Sequence, residues 1–384
     1  MNICFETFGC RLNRAEALQQ EAEARAAGHR IVTTHDQADL IVIRGCSVTA
    51  KAQRDCEQLI AHLKRKYPCK RLTLVGCLPQ ATKDFFIKPP AEPVISTTTA
   101  RAYLKVQDGC AGGCSFCIVP KFRGPSVSIP YDEVLRKARQ FIGNGYHEIV
   151  VTGCNLSLYA SQGKRLPELL AALTELHAGC RIRLGSLEPS PVAADVLAVL
   201  AERPNCCRFL HIPIQSGAPG ILRAMRRPYT IAEVEALLKQ ARQAAPDLAI
   251  GCDLMTGFPG ESELDFLATK GLLKRGAFAK AHIFPYSERP GTIAAALPGA
   301  VPRELRRARA RTLLAIAERQ RGDFAQKFFG KTVEFIVEDA EHGAGWTSEY
   351  LWCTCPAAKL VRKTRVRALV FKVKDHQLIG KVVD

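Results

Sequence analysis

Three cysteines lie within eight residues in "CAGGCSFC", as Cys110, Cys114 and Cys117, spaced C-x3-C-x2-C. A structural zinc site takes four ligands, and a cubane iron–sulfur cluster has four irons to ligate. Three thiolates leave one position open, which is the mark of a metal site that binds a reactant. The alternative is a zinc knuckle that borrows its fourth ligand from elsewhere in the chain. Gly112 and Gly113 are expected to let the backbone wrap closely round a metal. Three further cysteines each follow a glycine: Cys10 in "ETFGC", Cys46 in "LIVIRGC" and Cys77 in "LTLVGC". They form a second set of three with one position left over.

The elements that must position these thiols alternate between strand and helix. "NICFETFG", "DLIVIRG" and "RLTLVG" read as strands. "NRAEALQQEAEARAAG", ending on Gly28 as a helix stop, and "VTAKAQRDCEQLIAHLKRK" read as helices. This pattern predicts a small open parallel sheet in an α/β domain over 1–95. Parallel strands end on one side, so Cys10, Cys46 and Cys77 are expected to converge at one sheet edge. Residues 78–100, with four prolines, read as a weakly structured linker. From 101 to about 290 the alternation runs six times, through "AYLKVQDG", "EIVVTG", "RIRLGSLEP", "CRFLHIPIQSG", "LAIGCDLMTGFPG" and "KAHIFPYSERPGT". Six β/α units over 96–326 predict a partial barrel, whose chemistry belongs at the C-terminal strand ends. Residues 302–329 read as one long basic helix. After it the period becomes 2, in "TVEFIVED" and "VRALVFKV", and "KDHQ" is expected to turn a hairpin into "LIGKVVD". The tail, 327–384, is therefore expected to be a small all-β barrel.

The chain of 384 residues carries a formal charge of +17 and sixteen cysteines. A field of that sign favours a polyanionic partner, although a merely soluble basic enzyme has it too. The runs "RRARAR" (306–311) and "VRKTRVR" (361–367) make the C-terminal part a candidate contact surface. "MNICFETFGC" has neither the basic head nor the apolar core of a signal peptide, and no run is long enough to span a membrane. A cytoplasmic, reduced protein is expected, in which clustered cysteines bind metal rather than form disulfides. Cys4, Cys56, Cys69, Cys180, Cys206 and Cys207 have no motif context and read as small buried thiols.

The C-x3-C-x2-C word after the first strand of a β/α barrel resembles the radical S-adenosylmethionine (SAM) superfamily. With "TFGCRLN" (7–13), "GCSVT" (45–49), "GC" (76–77) and "QDGCAGGCSFCIVPKFRG" (107–124), the chain resembles the radical SAM methylthiotransferases over nearly its whole length. "TGCNL", "SLEP", "HIPIQSG", "MRRPYT", "GFPGE" and "FPYSERPGT" match the later words of that family, and the tail with "GWTSEY" resembles its RNA-binding TRAM barrel.

The resemblance implies two [4Fe-4S] clusters and SAM as cofactors. Cys110, Cys114 and Cys117 would hold the cluster that cleaves SAM to a radical. Cys10, Cys46 and Cys77 would hold an auxiliary cluster that carries the sulfur to be donated. Gly153, Asn155, Ser186, Glu188 and Gln215, at strand ends, are the candidates for contact with SAM, with loop structure as the competing reading of each. Arg123 and Arg289 are candidates for a carboxylate or a substrate phosphate, and Cys154 for a small filler. "TFGCRLN" and "LKVQDGC" look most like the branch acting on N6-threonylcarbamoyladenosine at position 37 of transfer RNA. Other branches act on isopentenyladenosine or a ribosomal protein aspartate, and a non-catalytic RNA-binding iron–sulfur protein is the alternative of a different class. The implied partners are the transfer RNA anticodon loop and an electron donor such as flavodoxin or ferredoxin, with the chain a monomer. Trp346 and Trp352 are the large rings available to stack on bases, or else barrel packing. Departures from the family are Arg44-Gly45 in place of Asn-Thr before Cys46, a short segment between Cys77 and Cys110, "GSLEP" in place of the commoner Ser-Ser pair, and Cys154 in "TGCNL".

Overall fold

The computed structural model describes residues 1–48, 50–78, 99–356 and 358–383. The linker expected over 78–100 therefore lies, but for its ends, outside the described residues. The N-terminal sheet is fully parallel. It contains β1 (Asn2–Thr7), β2 (Arg30–Ile31), β3 (Leu40–Cys46) and β4 (Arg71–Cys77), in the order β2-β1-β3-β4. Helices α1 (Arg11–Ala26) and α2 (Ala50–Lys66) cross over between strands. Strand β3 is buried along its whole length, as its apolar run requires. Gly28, at φ +80°, follows the end of α1 as expected.

Six further parallel strands form the wall of the partial barrel: β5 (Ala102–Lys105), β6 (Glu148–Thr152), β7 (Arg181–Leu184), β8 (Phe209–Gln215), β9 (Ala249–Thr256) and β10 (Lys280–Pro285). They make two three-stranded sheets, joined by the parallel bridges Ile182↔Cys206 and Ser186↔His211. Outward-facing apolar residues such as Leu104, Ile149, Val151, Ile212, Leu254 and Ile283 share one core with the surrounding helices. Every second residue is left to face the lumen, and there the wall carries Lys105, Glu148, Arg183, His211, Asp253, Lys280 and His282.

The long helix Arg303–Gln326 leads into a closed five-stranded barrel, formed by β11 (Thr332–Asp339), β12 (Ala344–Thr347), β13 (Trp352–Thr354), β14 (Arg365–Lys374) and β15 (Gln377–Val382). The last two strands pair as the expected hairpin, with Asp375 and His376 both at positive φ in its turn. The two short strands β12 and β13 carry no clear alternation and escape a reading by period. The tail docks on the barrel through main-chain carbonyls. Arg181 donates to Trp346 O (2.6 Å), and Arg183 donates to Thr347 O (2.7 Å) and Ser348 O (3.0 Å). The basic run 306–311 is only partly a surface: Arg306 pairs with Glu288, and Arg309 with Glu261 and Glu263, with both arginines buried.

Candidate active site

The amino-terminal thiols meet at one sheet edge because the strands are parallel and in register. Cys46 and Cys77 are direct partners across β3 and β4. Cys10 sits just past β1 at the start of α1. Gly9 carries the chain there at φ +98°, and a Cβ on it would lie 2.6 Å from Cys46 Cβ. A glycine is therefore required for Cys10 to approach Cys46. The departure at Gly45 has a local cause: a Cβ there would collide with Leu78. Its neighbour Arg44 turns to Glu16 (2.6 Å).

The second set of thiols lies on the loop after β5. Its backbone is pinned by Cys110 N–H to Gly124 O (3.1 Å), Cys114 N–H to Gly112 O (2.8 Å) and Cys117 N–H to Cys114 O (3.1 Å). Ser115 ties the loop to the barrel through Met225 O and Ala224 O. At Gly112 the chain does run close to a thiol, since a Cβ there would lie 3.3 Å from Cys110 Sγ, but the left-handed backbone of this loop is not at Gly112 or Gly113. Neither has positive φ; Gly109 (+64°) and Gly124 (+72°) at the loop ends do. The reason is closure: a Cβ on Gly109 would lie 1.8 Å from Pro125 O.

Among the described residues, the groups of three donors lying within 4.8 Å of one another are Cys4–Glu6–His35 and His211–Asp253–His282. Each cysteine trio offers thiol sulfur alone, which is the donor an iron–sulfur cluster takes. Burial raises the thiols of Cys46, Cys77 and Cys114 above their ordinary range, and that of Cys117 to about 11. Bound metal is what would hold such buried thiols as thiolates.

Each trio is addressed by an arginine. Arg123 donates through Nε to Cys77 Sγ (3.0 Å), and through its other nitrogens to Glu16 (2.8 and 3.0 Å), Asp108 (3.0 Å) and Asn13 (2.8 Å). Lys105 completes the network to Glu16 (2.7 Å) and Asp108 (2.5 Å). Burial would raise the Asp108 carboxyl, but Lys105 and Arg123 outweigh it and hold it at about 2. Arg123 lies on a short helix, α3 (Val119–Arg123), just beyond Cys117. One side chain thus ties the second cysteine loop to a thiol of the first set. Its donors are all engaged, so it is not a receptor for substrate phosphate. Arg289 is not exposed either; it is buried against Gln53 (2.6 Å).

At the second trio, Arg227 donates to Cys114 Sγ (2.9 Å) and pairs with Glu188. Asn155 donates to Glu188 Oε2 (2.9 Å), and its own N–H donates to Gln107 Oε1 (2.9 Å). A Cβ on Gly153 would lie 2.9 Å from that same Gln107 oxygen, so the chain runs close there. Glu188, Asn155 and Gly153 therefore stand together beside Cys114. Ser186 bridges to His211, and Gln215 ends its strand at φ +72°. Sequence reasoning gives Arg227 no role; its only signal is the word "MRRPYT". Cys154 contacts Asp108 (3.5 Å) and belongs to neither trio. Trp346 packs inward, stacked on Tyr350 with ring centroids 4.6 Å apart. Cys69 is exposed, contrary to the buried filler expected.

Comparison with known proteins agrees with this geometry. Residues 104–273 match the radical SAM superfamily, and residues 2–96 match the uncharacterized protein family UPF0004. The chain is 30% identical to the threonylcarbamoyladenosine tRNA methylthiotransferase MtaB of Bacillus subtilis, over 88% of this chain and 85% of that protein. It is also 30% identical to the tRNA-2-methylthio-N(6)-dimethylallyladenosine synthase of Mycobacterium bovis, over 87% and 76%. Among solved structures, the radical SAM methyltransferase TsrM of Kitasatospora setae, with cobalamin and a [4Fe-4S] cluster bound, superposes with a TM-score of 0.56. That match has 12% identity over 77% of this chain and 76% of the other, and shares the fold. No helix among the described residues is long and apolar enough to cross a membrane.

Proposed function

This chain belongs to the radical SAM methylthiotransferase family, and from that membership we propose that it methylthiolates transfer RNA, at C2 of N6-threonylcarbamoyladenosine in position 37. The observation that carries the reading is the pair of three-thiol sets, linked through Arg123. Cys110, Cys114 and Cys117 would hold a [4Fe-4S] cluster that serves SAM, and Cys10, Cys46 and Cys77 would hold the auxiliary cluster. The two groups supply, when bound, a SAM-derived radical that removes hydrogen from an unactivated carbon, and the sulfur that replaces it.

The protein's own groups bind and orient. Glu188 and Asn155, beside Cys114, accept and donate to the polar atoms of SAM, with Ser186 and Gln215 at neighbouring strand ends. Gly153 leaves the chain close to Gln107 and keeps a side chain out of that space. Arg227 compensates the charge of the thiolate at Cys114 and fixes Glu188. Residues 1–95 act as the auxiliary-cluster domain, 96–326 as the radical SAM core and 327–384 as the RNA-binding barrel. The +17 charge supports a nucleic-acid partner. The anticodon loop would be read through splayed bases and shape. A cytoplasmic monomer served by flavodoxin or ferredoxin completes the reading.

The test is the nucleoside profile of transfer RNA from a host lacking its own enzyme, with and without this protein. Appearance of 2-methylthio-N6-threonylcarbamoyladenosine is expected. An unchanged profile, from protein that carries roughly eight irons per chain and forms 5′-deoxyadenosine with reductant, removes the substrate assignment.

A further inference from the structure

The three parts of the chain meet at one ring. Tyr350, from the tail turn between β12 and β13, has three cations against its face: Lys280 at 4.5 Å, Arg11 at 5.0 Å and Arg183 at 5.0 Å from the centroid. Arg11 opens the first helix, Arg183 and Lys280 lie on barrel strands, and Tyr350 is held at φ +66° with its N–H on Thr347 O (3.2 Å). Arg183 is fully engaged by Glu148 and by tail carbonyls. The other two cations are not. Arg11 has one long bond to the main chain, at Leu184 O (3.5 Å), and a hydrogen bond to the Tyr350 phenol, while Lys280 lies over the Tyr350 ring. Among the described residues neither is in an ion pair. Burial lowers the Lys280 ammonium, and the Arg11, Arg321 and Arg101 charges add to this against the support of Tyr350. Burial would raise the Tyr350 phenol, but Arg11, Arg101 and Lys280 outweigh it and bring it to about 8, so the spot is electropositive.

Two half-buried cations that share one phenol and have no carboxylate partner are under-compensated until an anion joins them. The place identifies the anion. Lys280, His282 and Phe284 occupy one face of β10 while Ile283 packs outward, so the lysine is on the lumen side. His282 and His211 both contact Asp253, at 3.2 and 2.9 Å, which keeps the adjoining wall polar. Arg11 follows Cys10 in the chain, so a group held by Arg11 lies within one residue of the thiol set that would carry the donated sulfur.

We infer that Lys280 and Arg11, laid against Tyr350, form the receptor for the carboxylate of the substrate's threonylcarbamoyl group, and so select that nucleoside over a dimethylallyl one. The inference rests on the function proposed above. A neutral alkyl group in the same place leaves both cations unpaired, which is the kind of mismatch that discriminates strongly between substrates.

The test is equilibrium binding by cluster-loaded protein, without reductant, of anticodon stem-loop RNAs. The target adenosine is unmodified, dimethylallylated, threonylcarbamoylated, or threonylcarbamoylated with its carboxylate methyl-esterified. Wild-type protein is expected to favour the free-carboxylate RNA over its ester by tenfold or more. Lys280→Met is expected to lose that ratio without weakening for unmodified RNA, and Lys280→Arg to keep it. A ratio retained in Lys280→Met, lost equally in Lys280→Arg, or absent in wild type overturns the receptor. If Lys280→Met does not load iron, the ester comparison on wild type and Lys280→Arg decides alone. A wild-type protein that methylthiolates only the dimethylallyl RNA overturns the underlying reading instead, so the two failures are told apart.

Discussion

Arg227 is shared between a thiol at 2.9 Å and the Glu188 carboxylate. A cation beside a metal-bound thiolate favours the more negative, reduced form of the cluster. Removing it in Arg227→Met should leave the iron content unchanged and drive the midpoint potential of the SAM-binding cluster more negative. A tenfold change in a one-electron equilibrium is about 60 mV, which is the size expected. An anaerobic titration followed by electron paramagnetic resonance measures it, and an unmoved potential would confine Arg227 to holding Glu188. The cysteines were legible in the sequence because their number and spacing are dictated by the group they would hold. Arg227 was not, because it meets Cys114 across 113 positions and nothing local marks it.

Among the elements, β6 carries the least expected residue. Glu148 is fully buried, with Arg181 Nε at 2.6 Å, Arg183 Nε at 2.7 Å and Arg101 at 3.8 Å. Burial alone would raise its carboxyl, but the three guanidiniums hold it far below the ordinary value of 4.5. A depressed carboxylate contributes its stability in full above that ordinary value and loses it as the pH falls below. Glu148→Gln leaves three buried cations under-compensated and should cost about 3–5 kcal/mol at neutral pH. Denaturant melts from pH 7 down to pH 3 should show the wild type losing stability toward acid with a steeper slope than the variant. Equal slopes would remove Glu148 as the source. The strand itself was readable from "EIVVTG", since its outward side chains are apolar. The charged lumen row was not, because alternation says which side a residue faces and not what it faces there.

At the scale of the whole molecule, the tail is a structural part of the barrel. Its carbonyls at Trp346, Thr347 and Ser348 accept from Arg181 and Arg183, the same arginines that surround Glu148. Deleting 331–384 should therefore lower the melting temperature of what remains by several degrees, beyond any loss of RNA affinity. Differential scanning calorimetry of the shortened chain checks this, and an unshifted transition would make the tail an independent module. The all-β character of the tail was readable from its alternation. Its seating was not, since those contacts span 164 and 165 positions. The chain has two tryptophans, and both lie at this seat: Trp346 stacks on Tyr350 and meets Trp352 edge-on, 4.9 Å between centroids. The ultraviolet emission of the protein is accordingly a gauge of a single joint. A change in its colour reports the tail lifting from the barrel and is blind to unfolding that leaves that joint closed.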